Sequence, residues 1–166
     1  FVRSELRPTW QSIKERVKQE CLRLGVQSTK ALADPIRILS PSDFGFHNMM
    51  VDRSGQLIFF DFEYAGWDDS AKLVCDFFCQ PEVPVSSSFW GEILNRISSI
   101  FDEDTFLTDR VKILLPVYQI KWCCIMLNSF TSMGSNRRNF AKVNSTKYSE
   151  EQLTKTVKYF NNRGTI

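Results

Sequence analysis

The chain has 166 residues, and its 21 basic side chains nearly balance its 19 acidic ones, which leaves a formal net charge of +2. This small charge gives no reason to expect a nucleic-acid or membrane partner. A hydrophobic content of 43% excludes a disordered chain. No apolar run approaches the about 18 residues that a membrane-spanning helix needs, so we expect one soluble domain covering residues 1–166.

Over residues 1–39, the pattern predicts one helix and one short strand. Apolar residues recur at helical spacing over residues 8–24. Pro8 suits the first turn of that helix, and Gly25 is well placed to end it. Residues 37–39 predict a strand that leads into a loop.

Two apolar runs, at residues 49–52 and 57–61, predict a β-hairpin. The four residues between them, Arg53-Ser54-Gly55-Gln56, supply the turn. The continuous apolar run before Asp61 favours a buried strand that delivers the Asp61 carboxylate to a cleft.

From about Ser70 onwards, the pattern predicts helices joined by loops. The first begins at Asp69 or Ser70 and ends near Cys79, before Pro81. Residues 131–147, rich in Ser, Asn and basic side chains, predict a loop. The remaining helices are predicted over residues 86–101, over residues 108–130 with a kink at Pro116, and from the capping box Ser149-x-x-Gln152 toward Phe160.

The cysteines favour a reducing compartment. The chain has 5 cysteines, which form no C-x-x-C pair, and 1 histidine, so it lacks a convincing zinc quartet. We expect buried free thiols, and Phe1 opens no signal peptide. Both observations predict a cytoplasmic protein.

The most informative stretch is residues 42–48, Ser-Asp-Phe-Gly-Phe-His-Asn, followed by Asp61-Phe62-Glu63. Asp43 can accept the proton of a substrate hydroxyl, while Asn48 and Asp61 offer hard oxygen ligands to magnesium. The short spacing lets one loop carry the base and one metal ligand, and the hairpin returns Asp61 toward the same metal. The pattern is typical of a phosphoryl-transfer centre.

Residues 43–69 resemble the catalytic core of the aminoglycoside phosphotransferase and choline kinase family, which is related to the protein kinases. The family pattern is H-x-D-x-x-x-x-N, a hairpin, and then Asp-Phe-Glu or Asp-Trp-Glu. The resemblance implies that Asp43 is the catalytic base, that Asn48 and Asp61 bind the metal and the nucleotide phosphates, and that Glu63 assists a second metal. It also implies Mg²⁺ as cofactor and ATP or GTP as donor.

Several positions depart from that family pattern. Pro41 replaces the family histidine, and Gly45 stands where a second histidine is usual. The helix after Asp69 has Leu73 at the usual aspartate position, with Asp76 one turn further on. The positions of the base and the metal ligands are retained.

Before Asp43, the chain has no G-x-G-x-x-G loop and no V-A-I-K-like strand whose lysine could pair with the nucleotide phosphates. The resemblance therefore predicts an α+β, mostly α-helical fold: the C-terminal lobe of a kinase-like protein, with a small hairpin carrying the metal site and the nucleotide-binding N-terminal lobe missing. Because Phe1 is not Met, we expect a fragment that is inactive alone. Apolar residues that normally meet the other lobe predict self-association.

Other residues have simpler interpretations. His47 is expected to pack or cap the loop rather than catalyse. Tyr64, Tyr118 and Trp122 favour core packing over an aromatic cage for a quaternary ammonium group. Asp68 and Asp69 favour helix capping over attraction of a cationic acceptor. The basic residues of the predicted loop favour a solvated segment over a phosphate contact: Arg137, Arg138, Lys142 and Lys147.

Three functions remain open from the sequence. The leading hypothesis is a kinase that moves the γ-phosphate of ATP or GTP to a hydroxyl of an aminoglycoside-, choline- or sugar-like molecule. The second is a catalytically silent, kinase-derived binding module, favoured by Pro41 and the missing lobe. The third is a carboxylate-metal phosphohydrolase using Asp43, Asp61 and Glu63.

Overall fold

The computed structural model describes residues 1–27, 29–102, 104–131 and 145–164. These residues form a mostly helical α+β fold, as the sequence predicted, with two small antiparallel sheets. The helices are α1 (Arg7–Arg23), α2 (Ser70–Cys79), α3 (Trp90–Ile100), α4 (Leu107–Met126) and α5 (Ser145–Asn161). The strands are β1 (Arg37–Ser40), β2 (Met49–Val51), β3 (Leu57–Phe59) and β4 (Gly66–Asp69).

Helix α1 confirms the prediction for the first helix and its end. It follows a π-helical turn over Val2–Leu6, and Pro8 lies in its first turn. Gly25 takes a φ of +67°, which glycine adopts without a Cβ clash. The Val26 N–H then donates to the Cys21 carbonyl at 2.8 Å and closes a Schellman motif.

Helices α2, α3 and α4 lie where the periodicity predicted them. The Asp69 side chain caps α2 by accepting from the Ala71 N–H at 2.8 Å. A 3₁₀ turn at Ser87–Phe89 precedes α3, and another at Leu127–Phe130 continues α4. Pro116 lies inside α4.

The start of α5 differs from its prediction. The helix begins at Ser145, so Ser149 lies inside it and the predicted capping box is wrong. None of the four residues before Ser149 is Gly or Pro, so nothing there stops the helix. The predicted loop therefore does not extend to Lys147, and Arg137, Arg138 and Lys142 lie outside the described residues.

The hairpin forms as predicted, but its second strand is not buried. Met49 pairs with Phe59 and Val51 with Leu57, so the predicted turn connects β2 and β3. Leu57 and Ile58 are 57% and 44% exposed, because a two-stranded sheet cannot cover its own faces. β3 ends two residues before Asp61, so Asp61 does not end a buried strand.

A second sheet joins the chain before the Asp43 loop to the chain after Asp61. β1 and β4 are antiparallel, with Arg37 opposite Asp69 and Ser40 opposite Gly66. This pairing brings the entry to the loop beside the start of α2. It was not predicted from the sequence, because the partners are distant along the chain.

Two hydrophobic clusters share α4. The first lies between α2, α3 and α4, and the second joins α1, α4 and α5. The buried members of the first are Ala71, Val74, Cys75, Phe77, Phe78, Leu94, Leu107 and Val111. Those of the second are Leu6, Ile13, Ile120, Cys123 and Phe160.

The segment Leu107–Phe130 is long and apolar enough to cross a membrane, with a mean hydropathy of 1.3. Our expectation that no run approaches that length was wrong, because Gln119 and Lys121 interrupt the run without lowering its average enough. In the fold this segment contacts α1, α2 and α5, and 33% of its apolar window is buried.

All five cysteines are free thiols, as predicted. Cys75, Cys79 and Cys123 are buried as expected, whereas Cys21 is half-buried and Cys124 is exposed, so the expectation of burial was wrong for these two. Burial raises the pKa of the Cys79 and Cys123 thiols to about 12, so these side chains are poor nucleophiles at neutral pH. The cytoplasmic location stays a prediction.

Candidate active site

The loop that carries Asp43 runs from the end of β1 to the start of β2. Its middle is anchored by Phe44, whose ring stacks on Phe59 at a centroid distance of 5.8 Å and contacts Phe77 at 5.3 Å. Phe59 belongs to the hairpin and Phe77 to α2. Aromatic packing therefore fixes the Asp43 loop between these two elements.

Asn48 connects this loop to the hairpin. Its side chain is buried, and its Nδ2 donates to the Asp43 carbonyl at 2.9 Å. Its own carbonyl accepts from the Phe60 N–H at 3.1 Å. Because the amide nitrogen is used within the protein, Oδ1 remains as the atom for a metal. The structure thus brings Asp43 and Asn48 together.

Asp61 and Glu63 follow the hairpin on an exposed turn. Asp61 immediately follows Phe60, the residue that bonds to Asn48, and has a φ of +63°. Within the described residues, no hydrogen bond or ion pair joins its carboxylate to Asp43 or Asn48. Over the same residues, no group of three or more His, Cys, Asp and Glu is arranged to hold a metal. The hydrogen bond from Phe60 to Asn48 therefore brings the backbone at Asp61 near the loop.

His47 both packs the loop and contacts the predicted base. Its Nε2 lies 3.3 Å from the Asp43 Oδ1, and its ring meets Trp122 edge-on with centroids 6.1 Å apart. A Cβ on Gly45 would lie 2.6 Å from the His47 Nδ1, which explains the glycine at that position. Packing was predicted for His47, whereas its contact with Asp43 was missed.

Lys72 is the site residue that sequence reasoning missed. Its Nζ donates to the Ser42 carbonyl at 2.7 Å and to the Ser42 Oγ at 2.9 Å. It also forms ion pairs with Asp68 at 2.6 Å and with Asp76 at 3.3 Å. The spacing of Asp68, Lys72 and Asp76, four residues apart, is the signal that could have found this cluster.

Asp76 is the buried centre of a charge network. Its side chain is fully buried, and the Lys121 Nζ lies 2.7 Å from its Oδ1. Burial raises the pKa of Asp76, and hydrogen bonds and charge from Lys121 and Lys72 oppose that rise. Two cations therefore stabilise a carboxylate that would otherwise be costly to bury.

The aromatic residues divide between core and surface. Trp122 is buried and Tyr118 packs against the first cluster, so core packing is confirmed for both. Lys121 also lies 4.8 Å from the Tyr118 ring centroid, which is a cation–π distance. Tyr64 is 70% exposed, so core packing was the wrong interpretation there.

Asp68 and Asp69 have different partners. Asp69 caps α2, as predicted, and also accepts from the Arg110 Nη2 at 2.9 Å. Asp68 does not cap the helix through its side chain but pairs with Lys72. Both carboxylates are therefore used within the protein.

The metal that the resemblance implies can be tested against the donors present. Mg²⁺ usually binds through one or two protein carboxylates or amides together with substrate phosphates. Asn48 Oδ1 and the Asp61 carboxylate fit that role as a pair of hard oxygen donors. They fit a metal carried by a nucleotide better than a metal bound by protein alone.

Comparison with family models, with curated proteins and with solved structures finds no match for this chain. The chemistry of the site is therefore argued from its own residues. Those residues are an exposed carboxylate beside a histidine, a buried amide that binds the same loop, and a second carboxylate on the adjoining turn.

Proposed function

We propose that this chain is the C-terminal lobe of a small-molecule kinase that resembles the aminoglycoside phosphotransferases and choline kinases. It would move the γ-phosphate of ATP or GTP to a hydroxyl of a small acceptor. The sequence before Asp43 has no phosphate-covering loop, so the proposal includes a separate nucleotide-binding lobe.

One backbone observation carries this proposal. Among the described residues, the non-glycine residues with positive φ are Ser42, at +70°, and Asp61, at +63°. One directly precedes the candidate base and the other is the candidate metal ligand. Strained backbone persists where the surroundings impose it, and it concentrates at functional sites. Positive φ values occur in both segments of the motif, and this favours a functional site over two ordinary turns.

The Asp43 carboxylate has the exposure and the partners that a proton acceptor needs. Its side chain is 40% exposed, so an acceptor hydroxyl can reach it. Oδ1 faces His47, which leaves Oδ2 for the hydroxyl proton. In the transfer, the acceptor oxygen bonds to the γ-phosphorus, the bond from that phosphorus to the β-phosphate oxygen breaks, and Asp43 takes the proton.

Asn48 and Asp61 would hold the magnesium ion that accompanies the nucleotide. When bound, that ion supplies positive charge against the phosphates. Asn48 is suited to this because its side chain is buried and its Nδ2 is bonded, so its amide plane has one orientation. Fixed ligands reduce the ordering that binding requires.

The test uses Mn²⁺ with ADP as a paramagnetic probe on the ¹⁵N-labelled chain supplied with its nucleotide-binding lobe. We expect nucleotide-dependent broadening at the Asn48 side-chain amide and at residues 60–62. Asp61→Asn should weaken it by about tenfold or more, the scale seen when a metal site loses its support. Asp52→Asn, on the hairpin turn, is the matched control. Equal broadening in Asp61→Asn, or none in the native chain, would contradict the proposal.

Activity supplies the second part of the test. When the chain is supplied with its nucleotide-binding lobe, it should transfer phosphate from ATP or GTP to a member of a panel of aminoglycosides, choline and sugars. Asp61→Asn should abolish that metal-dependent turnover. Full activity in this variant would exclude the assignment.

A catalytically silent binding module is the second candidate function. Its supporting observations are Pro41 at the family histidine position and, among the described residues, the lack of a group of three or more His, Cys, Asp and Glu that could hold a metal. It predicts that even the complete protein binds nucleotide weakly or transfers no phosphate. The hydrolase alternative requires Asp43, Asp61 and Glu63 together, and the described residues form no such group. Phosphate release without an acceptor would support it.

A further inference from the structure

Lys72 lies in the first turn of α2 and reaches a loop 30 residues earlier in the chain. Its ammonium group contacts four oxygens, namely the carbonyl and Oγ of Ser42 and the carboxylates of Asp68 and Asp76. The side chain is only 17% exposed. An ammonium group has three N–H donors, and the oxygens of Ser42 accept hydrogen bonds from it while the two carboxylates pair with its charge.

Ser42 needs an external partner to keep its conformation. Its φ of +70° is unfavourable for any residue with a Cβ. Its N–H donates to the Ser40 Oγ at 3.0 Å, and its two oxygens accept from Lys72. Hydrogen bonds from a charged donor are stronger than neutral ones, so the contacts from Lys72 are suited to offset the strain.

Lys72 is itself held from both sides. Asp68 lies on β4, and Asp76 lies one turn further along α2. Asp76 is fully buried and is also paired with Lys121, so the position of its carboxylate is set by the core. This arrangement gives the ammonium group a fixed location against which the Ser42 turn can form.

We propose that Lys72 is a positioning residue whose hydrogen bonds to Ser42 hold the left-handed turn that sets Asp43 beside His47. Its importance for activity rests on the proposed function, in which Asp43 accepts the proton. The geometric statement does not depend on that function. An arginine would not substitute, because its planar fork cannot direct donors to these four oxygens.

The first test is NMR on the labelled 166-residue chain. Because the chain has 1 histidine, the contact between His47 and the Asp43 methylene protons can be followed without ambiguity. Lys72→Met should remove this contact, and the order parameters of Ser42 and Asp43 should fall from about 0.85 to below about 0.6. An unchanged loop in Lys72→Met would overturn the proposal.

A matched variant separates positioning from general stabilisation. Asp68→Asn removes one ion pair of Lys72 and leaves both bonds to Ser42, so the loop should stay ordered. Ser42→Gly in the Lys72→Met background should restore the contact of His47 with Asp43, since glycine adopts a positive φ freely. Failure of this rescue would mean that Lys72 acts elsewhere and would overturn the proposal.

A measurement on the native chain remains decisive if Lys72→Met does not fold. The Lys72 ammonium protons should give a resonance at low temperature with a nuclear Overhauser contact to Ser42, and its absence would overturn the proposal. Undiminished phosphate transfer in Asp43→Asn would exclude the proposed function but leave the result on Lys72 standing. The two ideas can therefore fail separately.

Discussion

Arg110 connects α4 to the start of α2, and its removal should destabilise the fold. Its guanidinium donates to Asp104 through Nη1 at 2.7 Å and to Asp69 through Nη2 at 2.9 Å. The side chains of Arg110 and Asp104 are 11% and 3% exposed. Asp69 also caps α2, and Ser70 donates to Asp104, so several contacts depend on this arginine.

We expect Arg110→Met to lower the free energy of unfolding by about 3 kcal/mol. Breaking a buried ion pair by removing one partner costs about 3–5 kcal/mol, and the partial exposure of Asp69 favours the lower end. Because a domain is stable by about 5–15 kcal/mol, this is a large fraction. The melting temperature should fall by about 6–12 °C.

Urea unfolding followed by circular dichroism measures this loss. Arg96→Met is the matched control, since Arg96 pairs with Glu92 on an exposed face of α3 and should cost under about 1 kcal/mol. Adding Asp104→Asn to Arg110→Met removes the buried charge left behind and should recover part of the stability. A loss in Arg110→Met as small as in the control would refute the reasoning.

The same contact predicts a dependence on pH. Burial alone would raise the pKa of Asp104, but the hydrogen bonds and charge of Arg110 outweigh it, and the pKa lies below its ordinary value of 3.8. The stabilisation from Asp104 is therefore present above pH 3.8 and is lost as pH falls through the lowered pKa. Arg110→Met should lose less stability than the native chain over this acid range.

Two further predictions concern packing and association. Gly45→Ala should lower the free energy of unfolding by about 1–3 kcal/mol, because the new Cβ would lie 2.8 Å from the Gln80 Cγ and displace His47. Gly66→Ala is the control, since a Cβ there meets nothing within 4 Å, and it should be nearly neutral in urea unfolding. The exposed apolar surface around the hairpin should make the chain self-associate in sedimentation experiments. Leu57→Lys on β3, at 57% exposure, should weaken that association, whereas Leu22→Lys on α1, at 80% exposure, should not. Equal effects of the two would contradict this assignment of the surface.

Local patterns in the sequence were enough to predict most elements. Helix α1 begins near Pro8 and ends before Gly25. Both ends are predictable because the fixed φ of proline and the positive φ open to glycine are properties of single residues. The hairpin turn and the Asp69 cap follow from short-range hydrogen bonding in the same way. The spacing of Asp43 and Asn48 also indicated that both belong to one loop, where they are in contact.

The tertiary structure decided which surfaces are covered and which charges meet. The apolar run of β3 looked like a buried strand, but burial depends on a facing layer that the run itself does not encode. Lys121 meets Asp76 from 45 residues away because α2 packs on α4, and Lys72 meets Ser42 because the pairing of β1 with β4 brings the loop beside the start of α2. Sequence periodicity determines an element and its apolar face, whereas contacts between distant charged side chains exist only once those faces have packed.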